Sequence, residues 1–125
     1  MRKIALEEFH AELKGQRVSS REHAAVKCPA CGTVQSKALL RQQGCPENRI
    51  EDQIGFTCVG RWNEAGPPPR KDETVPREKP GCNWTLGGLF SIHELEVEKD
   101  GVFHPMFEIA TPEEARTLEA SLAQD

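Results

Sequence analysis

The chain has 125 residues, 37% of them hydrophobic, with a mean hydropathy of −0.59 and a net charge of −4. That length fits one domain with a modest core, and modest cores often depend on a metal or on disulfides. No run approaches the roughly 18 apolar residues of a membrane span, and Met1-Arg2-Lys3 opens a polar stretch rather than a secretory leader, so the five cysteines are expected to be reduced thiols in the cytoplasm.

The apolar positions Leu6, Phe9 and Leu13 fall three and four apart and predict a short amphipathic helix that Gly15 ends. Residues 16–23 are polar and read as loop. A strand over 24–28 enters the run Cys28-Pro-Ala-Cys31-Gly32, and Thr33-Val34-Gln35 leaves it. Ser36 is a good N-cap for a helix over 37–43, with Gly44 as its stop. A second short helix is expected over 46–53, then strands over 55–59 and 82–86 with a turn or bulge at Gly87-Gly88. Leu95-Glu-Val97-Glu alternates as a half-buried strand does, Asp100-Gly101 is a type I′ hairpin signal, and 102–103 with 106–109 return antiparallel. Thr111-Pro-Glu-Glu114 is a capping box opening a final helix from Glu113 to about Leu122.

Two cysteines separated by two residues, with glycine directly after, form a knuckle that aims both sulfurs at one point. Zinc needs four such ligands in a tetrahedron. Cys28 and Cys31 supply two, and Cys58 and Cys82 complete the set in the spacing C-x2-C-x26-C-x23-C. The expected cofactor is a structural Zn2+. Cys45 competes for the fourth place, with His23 and His93 as weaker substitutes. Cys45 follows a helix stop and lacks a glycine after it, which suits packing or a free thiol. The architecture expected over residues 1–125 is α+β: a small antiparallel zinc-ribbon-like sheet with flanking short helices and a C-terminal helix. Residues 63–81 form a proline-rich inserted loop, in which 66–81 hold five of the nine prolines.

Catalysis has little support. There is no H-E-x-x-H, no Walker loop, no G-x-S-x-G and no deaminase signature, and four thiolates leave no open metal position. A lone His93 lacks a partnered nucleophile, and His10 and His104 read as exposed or locally structural. The expectation is a protein that is not an enzyme. Charge is uneven: residues 93–125 hold two basic and nine acidic side chains. An acidic third suits a basic protein partner better than nucleic-acid phosphates. The candidate contacts are Glu94, Glu96, Glu98, Asp100, Glu108, Glu113 and Glu114. The alternative is a zinc-ribbon nucleic-acid-binding factor using Arg41, Arg49, Arg61, Trp62, Arg70 and Lys71, with Trp84 assigned to packing beside the metal.

Three runs carry a resemblance: Cys28-Pro-x-Cys31-Gly-x-Val-Gln35; Gly55-Phe-x-Cys58-x-Gly60-Arg61; and Cys82-Asn-Trp-Thr-Leu-Gly-Gly-Leu-Phe90 with Ile92-His93 and Leu95-Glu-Val97. Over roughly residues 4–109 the chain resembles a family of small proteins carried by bacteriophages and prophages. The resemblance implies that Cys28, Cys31, Cys58 and Cys82 are the metal site, with Cys45, the proline-rich loop and the last helix particular to this member. It also implies work in a bacterial host cell. Small acidic phage proteins often block a host complex, so a CRISPR effector or another defence complex is an expected partner.

Overall fold

The computed structural model describes residues 2–67, 79–86 and 95–123. The chain runs β1 (Arg2–Ala5), α1 (Leu6–Lys14), β2 (Ala25–Lys27), β3 (Val34–Ser36), α2 (Lys37–Gln42), α3 (Ile50–Gln53), β4 (Leu95–Lys99), β5 (Val102–Met106), β6 (Glu108–Ile109) and α4 (Pro112–Ala123). Single 3-10 turns lie at Arg21–His23, Glu47–Arg49 and Val59–Arg61. The expected α+β class is what the structure shows: small sheets, short helices and a C-terminal helix. Gly87, Gly88, His93, Glu94, Arg70 and Lys71 lie outside the described residues, as does most of the proline-rich loop.

The first sheet has the order β1-β4-β5. Its hairpin turns at Asp100 and Gly101, with φ of 55° and 81°, the left-handed pair that a type I′ turn requires. Leu95 and Val97 face inward and meet Ile4 of β1 and Phe9 of α1, with Leu6, Leu13, Met106 and Ile109 around them. The sequence reading missed β1, which it took as the approach to the helix. Only Ile4 of its four residues is buried, so the local alternation is too short to read. The strand exists because β4 offers it a parallel partner, Arg2 opposite Leu95 through Ala5 opposite Glu98. This parallel pair is an addition to the antiparallel pairing that the sequence led us to expect.

The second sheet has the order β3-β2-β6, all antiparallel. The chain crosses between sheets at Phe107, whose ring is fully buried and whose amide donates to Gly55 O at 3.0 Å. The capping box closes α4 as expected: Glu114 N donates to Thr111 Oγ1 at 3.1 Å and Thr111 N donates to Glu114 Oε1 at 2.9 Å. Ala115 is buried, and Leu118 and Leu122 pack on the main core. Ser36 caps α2 by accepting from Leu39 N at 3.3 Å.

Two further expectations need correction. Residues 55–59 and 82–86 are not regular strands; they meet in one bridge, Thr57 with Thr85. The amide of Cys58 donates to Trp84 O at 3.0 Å and that of Leu86 to Phe56 O at 2.9 Å, after which the chain coils into the turn at Val59. A straight strand would carry Cys58 and Cys82 past each other; the curl brings their sulfurs inward. The stretch 16–23 is likewise more than loop. Gln16 is fully buried: its Nε2 donates to Ala25 O at 2.8 Å and Ala110 O at 2.9 Å, and its Oε1 accepts from Ala25 N at 2.8 Å.

One carboxamide thus joins β2 to the segment between β6 and α4. Gln16→Leu removes it while filling the space, which strands a buried N–H and a buried carbonyl. The expected loss is about 2–4 kcal/mol, since each unsatisfied buried group costs ~1–3. Urea unfolding of the metal-loaded protein measures it, and a loss under about 0.5 kcal/mol would show that the bonds contribute nothing net.

Candidate metal centre

Lys27 ends β2 and delivers Cys28 to the start of a tight turn. Gly32 N donates back to Cys28 O at 2.8 Å, and Cys28 N donates to Thr33 O at 3.1 Å. Gly32 has φ +77°, a conformation L side chains rarely adopt, though nothing crowds its missing Cβ. The turn puts Cys28 and Cys31 on one side. From the other side come two curled arms, one ending in Cys58 and one beginning with Gly81-Cys82.

These arms touch through glycine. A Cβ on Gly60 would be driven into the backbone of Cys82. Gly81 has φ +85°, and a Cβ there would press on Gly60 N and Val59 Cγ1. The backbones therefore lie face to face where the sulfurs converge.

The four sulfurs of Cys28, Cys31, Cys58 and Cys82 all lie within 4.8 Å of one another. Cys28 and Cys82 are 3.9 Å apart and Cys31 and Cys58 3.7 Å apart. A tetrahedron of thiolates about 2.3 Å from a zinc ion has edges of about 3.8 Å, so the donor set fits a four-coordinate metal. These cysteines are free thiols rather than disulfides. Cys58 and Cys82 are wholly buried, Cys28 nearly so, and Cys31 is the one half-buried ligand.

Polar hydrogens point at the sulfurs. Cys82 N donates to Cys58 Sγ at 3.3 Å and Trp84 N to Cys82 Sγ at 3.5 Å. Gln35 Nε2 donates to Cys58 Sγ at 3.4 Å, while Thr33 Oγ1 accepts from Cys31 Sγ at 3.1 Å. Without a cation the sulfurs compete. Hydrogen bonding with Cys28 holds Cys31 far below the ordinary thiol range and brings Cys58 down to about 7. Cys28 is pushed far up, first by its bond with Cys31. Cys82 also rises: its bond with Cys28 pulls it down, but Cys31, Cys58 and burial outweigh that. Some of the sulfurs keep their protons so that others can lose them. A divalent ion at the centre removes that competition, because it favours the thiolate at all four positions.

The centre sits inside the largest apolar cluster, with Val26, Leu39, Leu40, Ile50, Val59 and Phe107 around it. Trp84 packs at its edge, 5.8 Å from the Phe107 ring between centroids. Cys45 is buried in the same cluster, but its sulfur is not among the four, and burial pushes its thiol up. His23 is half-buried in its 3-10 turn and also lies outside the group.

The acidic candidates are not brought to one place. Glu96, Glu98 and Asp100 lie along β4 and the hairpin turn, Glu108 on β6, and Glu113 and Glu114 in the first turn of α4. Three of them hold the fold. Glu96 pairs with Lys3 at 3.8 Å, Glu108 takes a two-pronged contact from Arg2, and Glu114 pairs with Lys27 at 2.8 Å besides closing its cap. Glu98, Asp100 and Glu113 are exposed and form no ion pair among the described residues. Of the basic candidates, Arg41 is clamped by Glu22 and Glu47, each at 2.8 Å, Arg49 stacks over the Trp62 ring at 5.4 Å, and Arg61 donates to Asn83 O at 3.2 Å.

Gln35, Gly60 and Gly81 are the residues to which sequence reasoning gave no role at the site. The two glycines had a signal in their positions beside Cys58 and Cys82. Gln35 had one only as the last residue of the run Cys28-Pro-x-Cys31-Gly-x-Val-Gln35, because a polar residue in a three-residue strand is ordinarily exposed. No helix among the described residues is long and apolar enough to cross a membrane. A family model described as VVA0879-like matches residues 5–110, and the chain belongs to that family. All four sulfur donors lie within the matched span, and α4 lies beyond it. No curated protein and no solved structure matches the chain.

Proposed function

We propose that this member of the VVA0879-like family is a zinc-stabilised interaction protein, carried by phages, that binds a host protein complex in the bacterial cytoplasm and blocks or modulates it. A CRISPR effector is the first candidate partner. The observation that carries the reading is the β4–β5 hairpin. Glu98 lies opposite Phe103 and Lys99 opposite Val102 in its ladder. Val102 and Phe103 are 55% and 44% exposed, two of the three large hydrophobics so exposed among the described residues. Glu98 and Asp100 flank them and form no ion pair among the described residues. The charges around them are mixed: Phe103 shares its face with Glu98 and has Lys3 Nζ 5.0 Å from its ring, while Val102 shares the opposite face with Lys99, so exposed apolar side chains among charges of both signs are what suit a protein surface.

Zinc is preferred because four cysteine sulfurs at tetrahedral spacing are its commonest structural set. A closed four-sulfur set leaves no coordination position for substrate or water, which supports a role without catalysis. The alternative, binding to nucleic acid, is weakened by Arg41, Arg49 and Arg61 already being engaged within the chain.

The test is a tagged pull-down from bacteria expressing CRISPR and other defence complexes, with and without nuclease. A stoichiometric protein that survives nuclease is expected. Retention that nuclease abolishes would move the assignment to nucleic acid. Against the identified complex, Glu98→Lys with Asp100→Lys should weaken binding by about tenfold per charge. Charge reversal at Glu108 or Glu114 is uninformative, since it would break Arg2 and Lys27 contacts. Unchanged affinity in the double variant would remove the hairpin from the interface.

A further inference from the structure

Gln35 is fully buried, and among the described residues the one side-chain group it bonds is a metal-ligand sulfur. Its Oε1 accepts from Val59 N at 2.9 Å. Its Nε2 donates to Thr33 O at 3.3 Å and to Cys58 Sγ at 3.4 Å. It stands in β3, on the strand that leaves the first knuckle. Val59 and Cys58 belong to the opposite arm. One planar amide therefore grips the first ligand pair's turn at Thr33, the backbone just after the third ligand, and the third ligand's sulfur.

We propose that Gln35 is a positioning residue of the metal centre: it docks the Cys58 arm onto the Cys28–Cys31 turn and, by its hydrogen bond to Cys58 Sγ, tunes that sulfur as a ligand. This rests on the metal reading of the four cysteines.

The chemistry follows from charge. Four thiolates around a divalent ion carry a net charge of −2, in a site that is almost closed to water. N–H donors spread that charge, and Cys58 receives them from Cys82 N, from Gln35 Nε2 and from the Gly60 backbone. A sulfur that accepts hydrogen bonds holds its lone pairs at lower energy. It is a poorer nucleophile and a weaker electron donor to the metal, but it is held at a fixed angle. Outer partners of this kind typically change metal affinity 10–100-fold.

Two variants separate tuning from packing. Gln35→Leu keeps the volume and removes every polar contact. Gln35→Glu keeps an oxygen for Val59 N–H but puts an oxygen where the donor stood. Protein is loaded with Co2+, whose sulfur-to-metal charge-transfer absorption reports the ligand lone pairs. Zinc affinity is measured by competition with a chelating dye. Both variants should bind zinc ~10–100-fold more weakly, and in both the charge-transfer band should move to lower energy. Gln16→Leu, a destabilised core variant that touches no sulfur, should leave the band in place. In the unaltered protein loaded with cadmium-113, the side-chain amide protons of Gln35 should show scalar coupling to the metal through the N–H···S bond.

Weaker binding with an unmoved band in both Gln35 variants, or absence of the cadmium coupling, would overturn the tuning role. If the variants do not fold, the cadmium measurement alone decides. A wild-type protein that binds no metal would overturn the metal reading itself, and this inference with it.

Discussion

Cys82→Ser will lose the metal and unfold. Cys82 is wholly buried in the main apolar cluster, and its sulfur lies 3.9 Å from that of Cys28. A serine oxygen is smaller, harder and rarely ionised, so three thiolates would remain around an ion that wants four. Binding of a structural zinc ion contributes on the order of 10–16 kcal/mol, while a domain's whole stability is about 5–15. Removing one ligand therefore outweighs anything the small core supplies. Cys58→Ser should behave alike. Metal stoichiometry by mass spectrometry and thermal unfolding by circular dichroism check this together; wild type should hold one ion per chain and the variants none. Chelation of the wild type should reproduce the same loss. A serine variant that keeps both its metal and its melting temperature would refute the assignment of that cysteine. Cys45→Ala provides the contrast, since it should keep the metal and lose only about 1 kcal/mol of packing.

Gly60→Ala should be nearly as severe, although it removes no ligand. Its new Cβ would enter the backbone of Cys82, which cannot swing aside as a flexible side chain would. To relieve the clash, the two arms must part, and parting them pulls Cys82 from the tetrahedron. Overpacking alone costs about 1–3 kcal/mol; with ligand displacement added, about 3 kcal/mol or more is expected, with zinc affinity falling in step. Gly81→Ala combines a clash with an unfavourable φ of +85°. Gly32→Ala isolates the second effect: φ is +77° but nothing lies within 4 Å of the new carbon, so about 1 kcal/mol is expected and metal binding should persist. Denaturant midpoints of the loaded proteins rank the three. Equal effects at Gly32 and Gly60 would show that the close approach of the arms is not what matters.

Features that depend on neighbours in sequence were legible. The capping box of α4, the Ser36 cap, the Asp100-Gly101 turn and the first knuckle each involve residues within a few positions, so local chemistry specifies them. Even the distant pair Cys58 and Cys82 could be named, because a thiolate is a rare and demanding group. Features that depend on long-range partners were not. The strand β1 needs residues 95–98 to exist at all. Gln16 and Gln35 look like surface glutamines until backbone groups from other segments surround them. The acidic C-terminal third also misled in part: Arg2, Lys3 and Lys27 come from the other end of the chain to neutralise Glu108, Glu96 and Glu114. Composition by segment cannot register a charge pair that folding assembles.

The hairpin also shows how an exposed edge is kept single. In the register that places Lys99 opposite Val102, alternate residues of β5 turn their backbone amides away from β4. Phe103 and Pro105 hold those outward positions, and proline has no amide hydrogen to offer. A second strand could find at most one good donor there, which discourages edge-to-edge pairing, while Lys3 Nζ lies over the Phe103 ring at 5.0 Å.

Both sheets also place a demand on synthesis. The strand β1 leaves the ribosome well before its partner β4, which begins 93 residues later at Leu95, and β2 waits for Glu108 and Ile109. The first sheet cannot close until Leu95–Lys99 has emerged, and the second is not complete until Glu108 and Ile109 have. At ~5–20 residues per second that is many seconds of exposure, during which Cys28 and Cys31 are free to meet a metal without their later companions. Cys28 and Cys31 thus leave the ribosome with 51 residues still to come before Cys82 can complete the four-sulfur set.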